Sequence, residues 1–296
     1  MRIGVIDNSD EHRAASDLCN VGLCSQLLNT CSRPVASDWP QPNASITEWS
    51  DRGGWLDLVD AAILIGRPPL PGITDALRNL GKPVLYVHAG EVLDARTAWY
   101  SEASAVWALS TAQAADMKAI DERLRIMGGR WGVDVQSIEH EPRTMAEEFA
   151  LLAGDGGIIH RRGTYYMAEL RGLPVSVKRG DVLLSLNSWE SYPYPLFTAM
   201  AQGMPVICSR HTADYWGVSP LATFRSTDSW VSLGGRKHAT IMPDMADLTG
   251  ILNSLVGSDI TDASYAARDQ MRQCHDLREV ADDMRKALEL LASEES

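Results

Sequence analysis

Glu190 is a carboxylate in a short polar turn, between a predicted buried strand at residues 181–186 and a predicted helix at residues 195–202. Because the turn leaves the carboxyl end of the strand, it lies where ligands bind in open parallel sheets. A carboxylate there can accept hydrogen bonds from the hydroxyl groups of a sugar or a ribose. The helix that follows aims its N-terminal amides at the same place, and such amides bind phosphate groups. The alternative is a solvated loop carboxylate.

Basic and imidazole side chains supply further candidates. His88 ends a predicted strand, and an imidazole that titrates near neutrality can act as a general base or an electrostatic stabiliser. Arg161 and Arg162 lie in the densest basic cluster, and guanidinium groups match the geometry of a diphosphate. Lys178 follows in the same basic region. Each candidate has a structural alternative: His88 can be hydrogen-bonded in place, and the two arginines can form an exposed basic turn.

Aromatic side chains surround the same turn. Tyr192 and Tyr194 flank Pro193 beside Glu190, and either ring can stack on a base or a sugar. Core packing of at least one of the two rings is the alternative. Residues 214–216 follow a predicted strand at residues 204–208, and the loop they form is expected to face the same site.

The elements that must position these residues alternate between strand and helix. Predicted strands lie at residues 3–6, 61–66, 83–88 and 105–110, and helical patterns lie at residues 18–28, 73–80 and 111–120. Near-continuous apolar strands indicate a parallel sheet that is buried on both faces. The strands end at Asp7, Arg67, His88 and Ser110, so position alone makes these residues site candidates. Ser110 or Thr111 is also the predicted N-cap of the following helix.

The second half continues the α/β pattern beyond a glycine-rich stretch at residues 154–157, which predicts a hinge or linker. The helix at residues 195–202 is followed by Gly203, a favoured residue just past a helix end. Residues 265–292 show one continuous helical pattern.

Composition limits the classes of function. The 296 residues are 45% hydrophobic and 22% charged, as in soluble globular proteins, and the net charge of −12 disfavours long contacts with nucleic acid. No apolar run is long enough to cross a bilayer and no signal peptide is recognisable, which predicts a cytoplasmic protein. The spacing of the five cysteines predicts neither a disulfide framework nor a metal site, and the three that lie in one helical pattern are expected to be buried free thiols.

Residues 180–210 resemble the donor-binding segment of retaining GT-B glycosyltransferases, the superfamily that includes glycogen synthases and bacterial mannosyltransferases. The family pattern has an acidic residue, seven residues and then a second acidic residue. Glu190 matches the first acidic position, and Thr198 stands at the second, where the family residue would hold the donor ribose. A threonine cannot accept two hydrogen bonds from a diol as a carboxylate does. The matching positions are Asp181, Ser188, Glu190, Pro193, Ala199, Met200, Ala201, Gly203, Pro205 and Val206.

Residues 60–142 resemble the N-terminal domain of the same family more loosely. The resemblance implies a GT-B-like α/β fold, in which two Rossmann-like domains with parallel sheets face an interdomain cleft. The implied domains are an acceptor-side domain at residues 1–145, a shortened donor-binding domain at residues 146–270 and a C-terminal helix at residues 271–296.

The resemblance also implies a function. The chain would move a hexosyl or pentosyl group from a nucleotide-sugar donor, without metal or cofactor and with retention of configuration. The acceptor stays open between a small molecule, a protein and a modified base of viral DNA, the last disfavoured by the acidic charge. The alternative is a non-catalytic GT-B-like module that binds nucleotides or sugars, which Thr198 and the short second domain favour. The implied catalytic residues are His88 and Glu190, and the implied donor-binding residues are Arg161, Arg162, Lys178, Ser188, Tyr192, Pro193, Tyr194 and Thr198.

Overall fold

A computed structural model describes residues 1–7, 13–29, 43–66, 72–88, 102–152, 170–176, 180–186, 193–233 and 236–295. The chain divides into two compact units: unit 1 comprises Met1–Asp134 with Asp276–Ser296, and unit 2 comprises Val135–His275. The chain therefore passes between the units twice. We call the passage from Asp134 to Val135 the first link, and the passage from His275 to Asp276 the second link. The boundaries expected from the sequence lay after residues 145 and 270.

The described residues form nine α-helices, which alternate with strands along most of the chain. They are α1 (Arg13–Asn20), α2 (Arg52–Leu58), α3 (Ile73–Asn79), α4 (Thr111–Ile120), α5 (Tyr194–Gln202), α6 (Arg210–Trp216), α7 (Met245–Leu255), α8 (Thr261–Cys274) and α9 (Leu277–Glu295). A 3-10 turn at Trp49–Asp51 precedes α2.

Unit 1 is built on a parallel sheet of seven strands in the order β3-β2-β1-β4-β5-β6-β7. The strand order reverses between β1 and β4. Because ligands bind at such topological switch points, the carboxyl ends of these two strands are the predicted ligand edge of unit 1. The strands are β1 (Ile3–Asp7), β2 (Gln26–Asn29), β3 (Ser45–Glu48), β4 (Ala61–Ile65), β5 (Val84–Val87), β6 (Ala105–Ala108) and β7 (Ile126–Gly128).

The central strands of unit 1 confirm the buried parallel sheet expected from their apolar runs. Every residue of β4, β5 and β6 is buried. Helix α2 lies so close to β1 that a Cβ added at Gly4 would approach the Trp55 ring to 2.4 Å. Gly4 therefore permits the close packing of this strand and helix.

Unit 2 contains a second parallel sheet, in the order β12-β11-β10-β8-β9. From β8 the chain first adds β9 on one side and then β10 on the other, so the switch point lies between β8 and β10. A separate antiparallel hairpin, β13 and β14, follows the last strand of the sheet. The strands are β8 (Phe149–Leu152), β9 (Val175–Ser176), β10 (Val182–Ser185), β11 (Val206–Ser209), β12 (Ala222–Phe224), β13 (Ser226–Leu233) and β14 (Arg236–Pro243).

The prediction of one continuous helix at residues 265–292 is wrong, because α8 ends at the second link and α9 begins directly after it. The backbone of His275 leaves the helical region at φ −134°, and α8 ends there. Asp276 then accepts a hydrogen bond from the Arg278 amide at 3.0 Å, which starts α9 as an N-cap does. Helix α9 belongs to unit 1, where Leu277 donates its amide to the Val133 carbonyl at 2.9 Å.

Two other local predictions are also wrong. A helix was expected at residues 18–28, but α1 ends at Asn20, and Leu27 and Leu28 lie on β2. Gly22, at φ 80°, turns the chain between α1 and β2. Residues 214–216 lie in α6 and not in a loop. The Ser209 hydroxyl accepts a hydrogen bond from the Thr212 amide, which starts α6 directly after β11, and Trp216 is buried.

The thiols differ in accessibility. Cys19, Cys24 and Cys208 are buried and Cys274 is exposed, while Cys31 lies outside the described residues. Burial raises the pKa of the Cys24 thiol well above its usual value, and the thiolate is the reactive form.

We therefore expect iodoacetamide at neutral pH to alkylate Cys274 in the native protein and to spare the three buried thiols until denaturant is added. Tandem mass spectrometry of tryptic peptides from native and denatured samples checks this. Fragment ions assign the alkylated position, because Cys19, Cys24 and Cys31 share one tryptic peptide. Rapid alkylation of Cys24 in the native sample would contradict the packing of α1.

Candidate functional site

The switch point of unit 2 is where the segments predicted to bind the donor leave the sheet. The residues that follow β8 include Arg161 and Arg162, those that follow β9 include Lys178, and those that follow β10 include Glu190. Because β8 pairs in parallel with both β9 and β10, the three strands are neighbours that end at the same edge of the sheet. The three segments therefore begin at that edge. The side chains of Arg161, Arg162, Lys178, Ser188, Glu190 and Tyr192 lie outside the described residues.

Helix α5 begins directly after the turn that carries Glu190. Pro193 stands at its N-cap, its carbonyl accepts the Phe197 amide at 2.8 Å, and Pro195 occupies the first turn. Proline suits this position because the first amides of a helix have no intrahelical partner. Pro193 and Tyr194 are both buried, which places the Tyr194 ring in the packing of α5.

Two hydroxyl groups are buried on elements that flank the donor turn, Ser185 at the end of β10 and Thr198 on α5. Ser185 alternates with Leu184, which packs in the core cluster on the α7 side, so Ser185 faces the opposite side of the sheet. Helix α5 packs on β10 and contributes none of its residues to that cluster, so it lies on the Ser185 side. Within the described part of the chain, neither the Ser185 Oγ nor the Thr198 Oγ1 has a hydrogen-bond partner, although both atoms are buried.

The C-terminal end of α5 is fixed by side chains that the sequence analysis missed. Gly203 ends the helix in the left-handed region at φ 94°, as its position predicted. The Ser264 hydroxyl donates to the Gly203 carbonyl, and the Arg268 guanidinium donates to the Ala201 carbonyl. A cation at the last carbonyls of a helix also complements the helix dipole. No local sequence motif predicts the role of Arg268, because its partner Ala201 lies 67 residues away in the chain.

Two aromatic rings pack against Phe197, which lies near the middle of α5. The Phe197 ring lies 4.3 Å from the His275 ring and 6.4 Å from the Trp216 ring, between centroids. His275 is 5% exposed and is the last residue of unit 2. The second link therefore starts at a residue that is buried against α5.

The unit 1 candidates lie along the carboxyl edge of its sheet. His88 follows β5 directly and is buried, with its ring centroid 6.4 Å from that of Tyr86. The Tyr86 hydroxyl donates to the carbonyl of Gly66, which follows β4 directly. Ser110 is confirmed as the N-cap of α4, since its Oγ accepts the Gln113 amide at 3.0 Å. Its hydroxyl therefore has a structural role.

Within the described ranges, no group of three or more His, Cys, Asp and Glu side chains could hold a metal ion. Across the same ranges, no helix is both long and apolar enough to cross a membrane.

Solved structures identify the fold. Alr3699/HepE from Anabaena, solved in complex with UDP and glucose, matches with a TM-score of 0.62 at 12% identity, over 98% of this chain and 100% of that chain. Sucrose-phosphate synthase from Thermosynechococcus elongatus matches with a TM-score of 0.62 at 10% identity, over 99% and 100%. Both have the GT-B fold. The chain has a GT-B fold. The predicted GT-B-like class, α/β with two parallel sheets, is confirmed.

No family model matches the chain. Protein YdeP from Escherichia coli K12 is 23% identical over 275 residues, which cover 87% of this chain and 32% of YdeP. The chain thus spans about a third of the length of that relative.

Proposed function

We propose that the chain is a glycosyltransferase that moves a sugar from a nucleotide-sugar donor to an acceptor. One observation carries this proposal: in a GT-B fold, the segments with Arg161, Arg162 and Glu190 start from the two strands that form the switch point of unit 2. Ligands bind at such points. HepE, which shares the fold, was solved with UDP and glucose.

In this proposal the transferred sugar and the diphosphate have separate partners. Glu190 accepts hydrogen bonds from the sugar hydroxyls. The amides at the start of α5, with Arg161, Arg162 and Lys178, neutralise the diphosphate as its bond to the sugar breaks. Ser188, Tyr192, Pro193 and Tyr194 belong to the same donor segment.

On the acceptor side, His88 is the proposed base or electrostatic stabiliser for the attacking hydroxyl. Transfer proceeds with retention, needs neither a metal ion nor a cofactor, and takes a hexosyl or pentosyl group. The acceptor class is open between a small molecule, a protein and a modified DNA base, and the net charge of −12 weighs against DNA.

A second candidate function is a binding module without catalysis. It is favoured by Thr198, which stands at the sequence position where the resembling family has a carboxylate for the ribose diol. Because a single hydroxyl offers fewer hydrogen-bond acceptor sites than a carboxylate, it binds a ribose diol more weakly.

A thermal-shift panel of nucleosides, nucleoside diphosphates and nucleotide sugars tests the donor site. A ligand that binds only the folded state stabilises it by about 2.7 kcal/mol at 100 times its Kd. We expect a higher Tm with one nucleoside diphosphate and its sugar conjugates, and no shift with the nucleoside alone. Binding without any consumption of the conjugate would favour the binding module. A flat response to all the ligands would refute the glycosyltransferase and any module that binds nucleotides.

A further inference from the structure

Helix α5 is held by residues next to both links between the units. Arg268 donates to the carbonyl of Val135, the first residue after the first link, at 2.8 Å. His275, the last residue before the second link, packs its ring on Phe197 of α5. The helix that follows the predicted donor turn is therefore tied to the two places where the chain enters and leaves unit 2.

Arg268 makes the more specific of these contacts. Its half-buried guanidinium donates to three backbone carbonyls: Val135 at 2.8 Å, Ile138 at 3.0 Å, and Ala201 in the last turn of α5. A planar guanidinium can hold several acceptors in a fixed geometry, which an ammonium group cannot do as well. Arg268 therefore fixes the end of α5 to residues 135–138.

We propose that Arg268 is a positioning residue for the donor site, which sets the affinity for the diphosphate of a nucleotide sugar. This inference rests on the proposed function. Arg268 stands at the C-terminal end of α5, and the diphosphate would bind at the N-terminal end of this nine-residue helix. Arg268 thus acts through the placement of α5.

The physical link is the rigidity of the short helix. Amides that bind a phosphate must point at it together, and a small displacement of a helix weakens all of these hydrogen bonds at once. Without Arg268, the Ala201, Ile138 and Val135 carbonyls lose a shared donor, and α5 loses its attachment to residues 135–138. The loss is expected to appear as weaker ligand binding in molecules that are still folded.

The test compares Arg268→Met and Arg268→Lys with a matched control, Leu252→Ala. Leu252 is fully buried on α7, in the cluster that includes Leu184 on the other face of the same sheet. Its replacement destabilises unit 2 without removing a contact to α5. Calorimetry would measure the Kd for the nucleoside diphosphate that the wild type binds, at a temperature well below every Tm. Hydrogen exchange would follow the amides of residues 194–203.

We expect Arg268→Met to raise the Kd about tenfold and to speed exchange in α5. Arg268→Lys should give a smaller increase, and Leu252→Ala should bind as the wild type does despite its lower Tm. An unchanged Kd in Arg268→Met would overturn the inference and leave the proposed function intact. If that variant does not fold, an unchanged Kd in Arg268→Lys overturns it. A wild type that binds no nucleotide refutes the proposed function and, with it, this inference.

Discussion

Replacing Glu190 with glutamine is expected to reduce sugar transfer by about 100-fold or more while the protein stays folded. Glutamine keeps the size of the side chain but removes the negative charge and half of its acceptor capacity. Charge develops on the sugar as its bond to the diphosphate breaks, so a carboxylate at that point stabilises the transition state more than the bound donor. The loss should therefore appear in kcat.

The measurement is the rate of nucleoside diphosphate release from the donor that the wild type uses. Glu289→Gln is the matched control, because Glu289 is an exposed glutamate on α9 in unit 1. It should keep wild-type turnover. The Tm of both variants should stay near that of the wild type. Full turnover by Glu190→Gln would remove Glu190 from the site.

Gly203→Ala is expected to lower the free energy of unfolding by about 2–4 kcal/mol. Gly203 adopts φ 94°, where a side chain is strained, and an added Cβ would lie 2.8 Å from the His140 ring and 3.1 Å from the Ser264 Oγ. The strain and the overlap act together. Because Gly203 ends α5, the change should also weaken binding at the proposed donor site.

Gly217→Ala separates the two causes. Gly217 ends α6 in the same unit at φ 65°, and an added Cβ there would meet no atom within 4 Å in the described structure. It should cost only the backbone strain, about 1–2 kcal/mol. Urea denaturation followed by tryptophan fluorescence measures both losses. Equal losses would show that the overlap with His140 and Ser264 contributes nothing.

The sequence was sufficient for the elements whose pattern is local. The continuous apolar runs at β4 and β5 predicted buried parallel strands, since both faces of such strands are covered. The helix α5 was predictable from its apolar pattern and from Gly203 at its end. The order strand, turn, helix and strand around residues 180–210 was enough to predict the GT-B fold that the solved structures confirm.

The sequence was insufficient where distant parts of the chain decide the structure. The break at the second link depends on Asp276 capping α9 and on α9 packing in unit 1, and the helical pattern on either side conceals it. Arg268 could not be recognised, because its acceptors lie 67 and more residues away.

Only part of the proposed site could be predicted from the sequence. The spacing of Glu190 and Thr198 gave the donor segment, and the topology of unit 2 adds that this segment starts at the switch point between β8 and β10. The means by which α5 is held, through Arg268 and His275, required the structure. Residues that position a site are often less visible in a motif than residues that contact a ligand.

Hydrogen exchange with and without a saturating nucleoside diphosphate tests the central claim most directly, because it reports where the nucleotide binds. If the donor binds at the switch point of unit 2, peptides covering residues 153–203 become protected and the strands of unit 1 exchange as before. Protection confined to unit 1, or no protection with any nucleoside diphosphate, would contradict a donor site in unit 2.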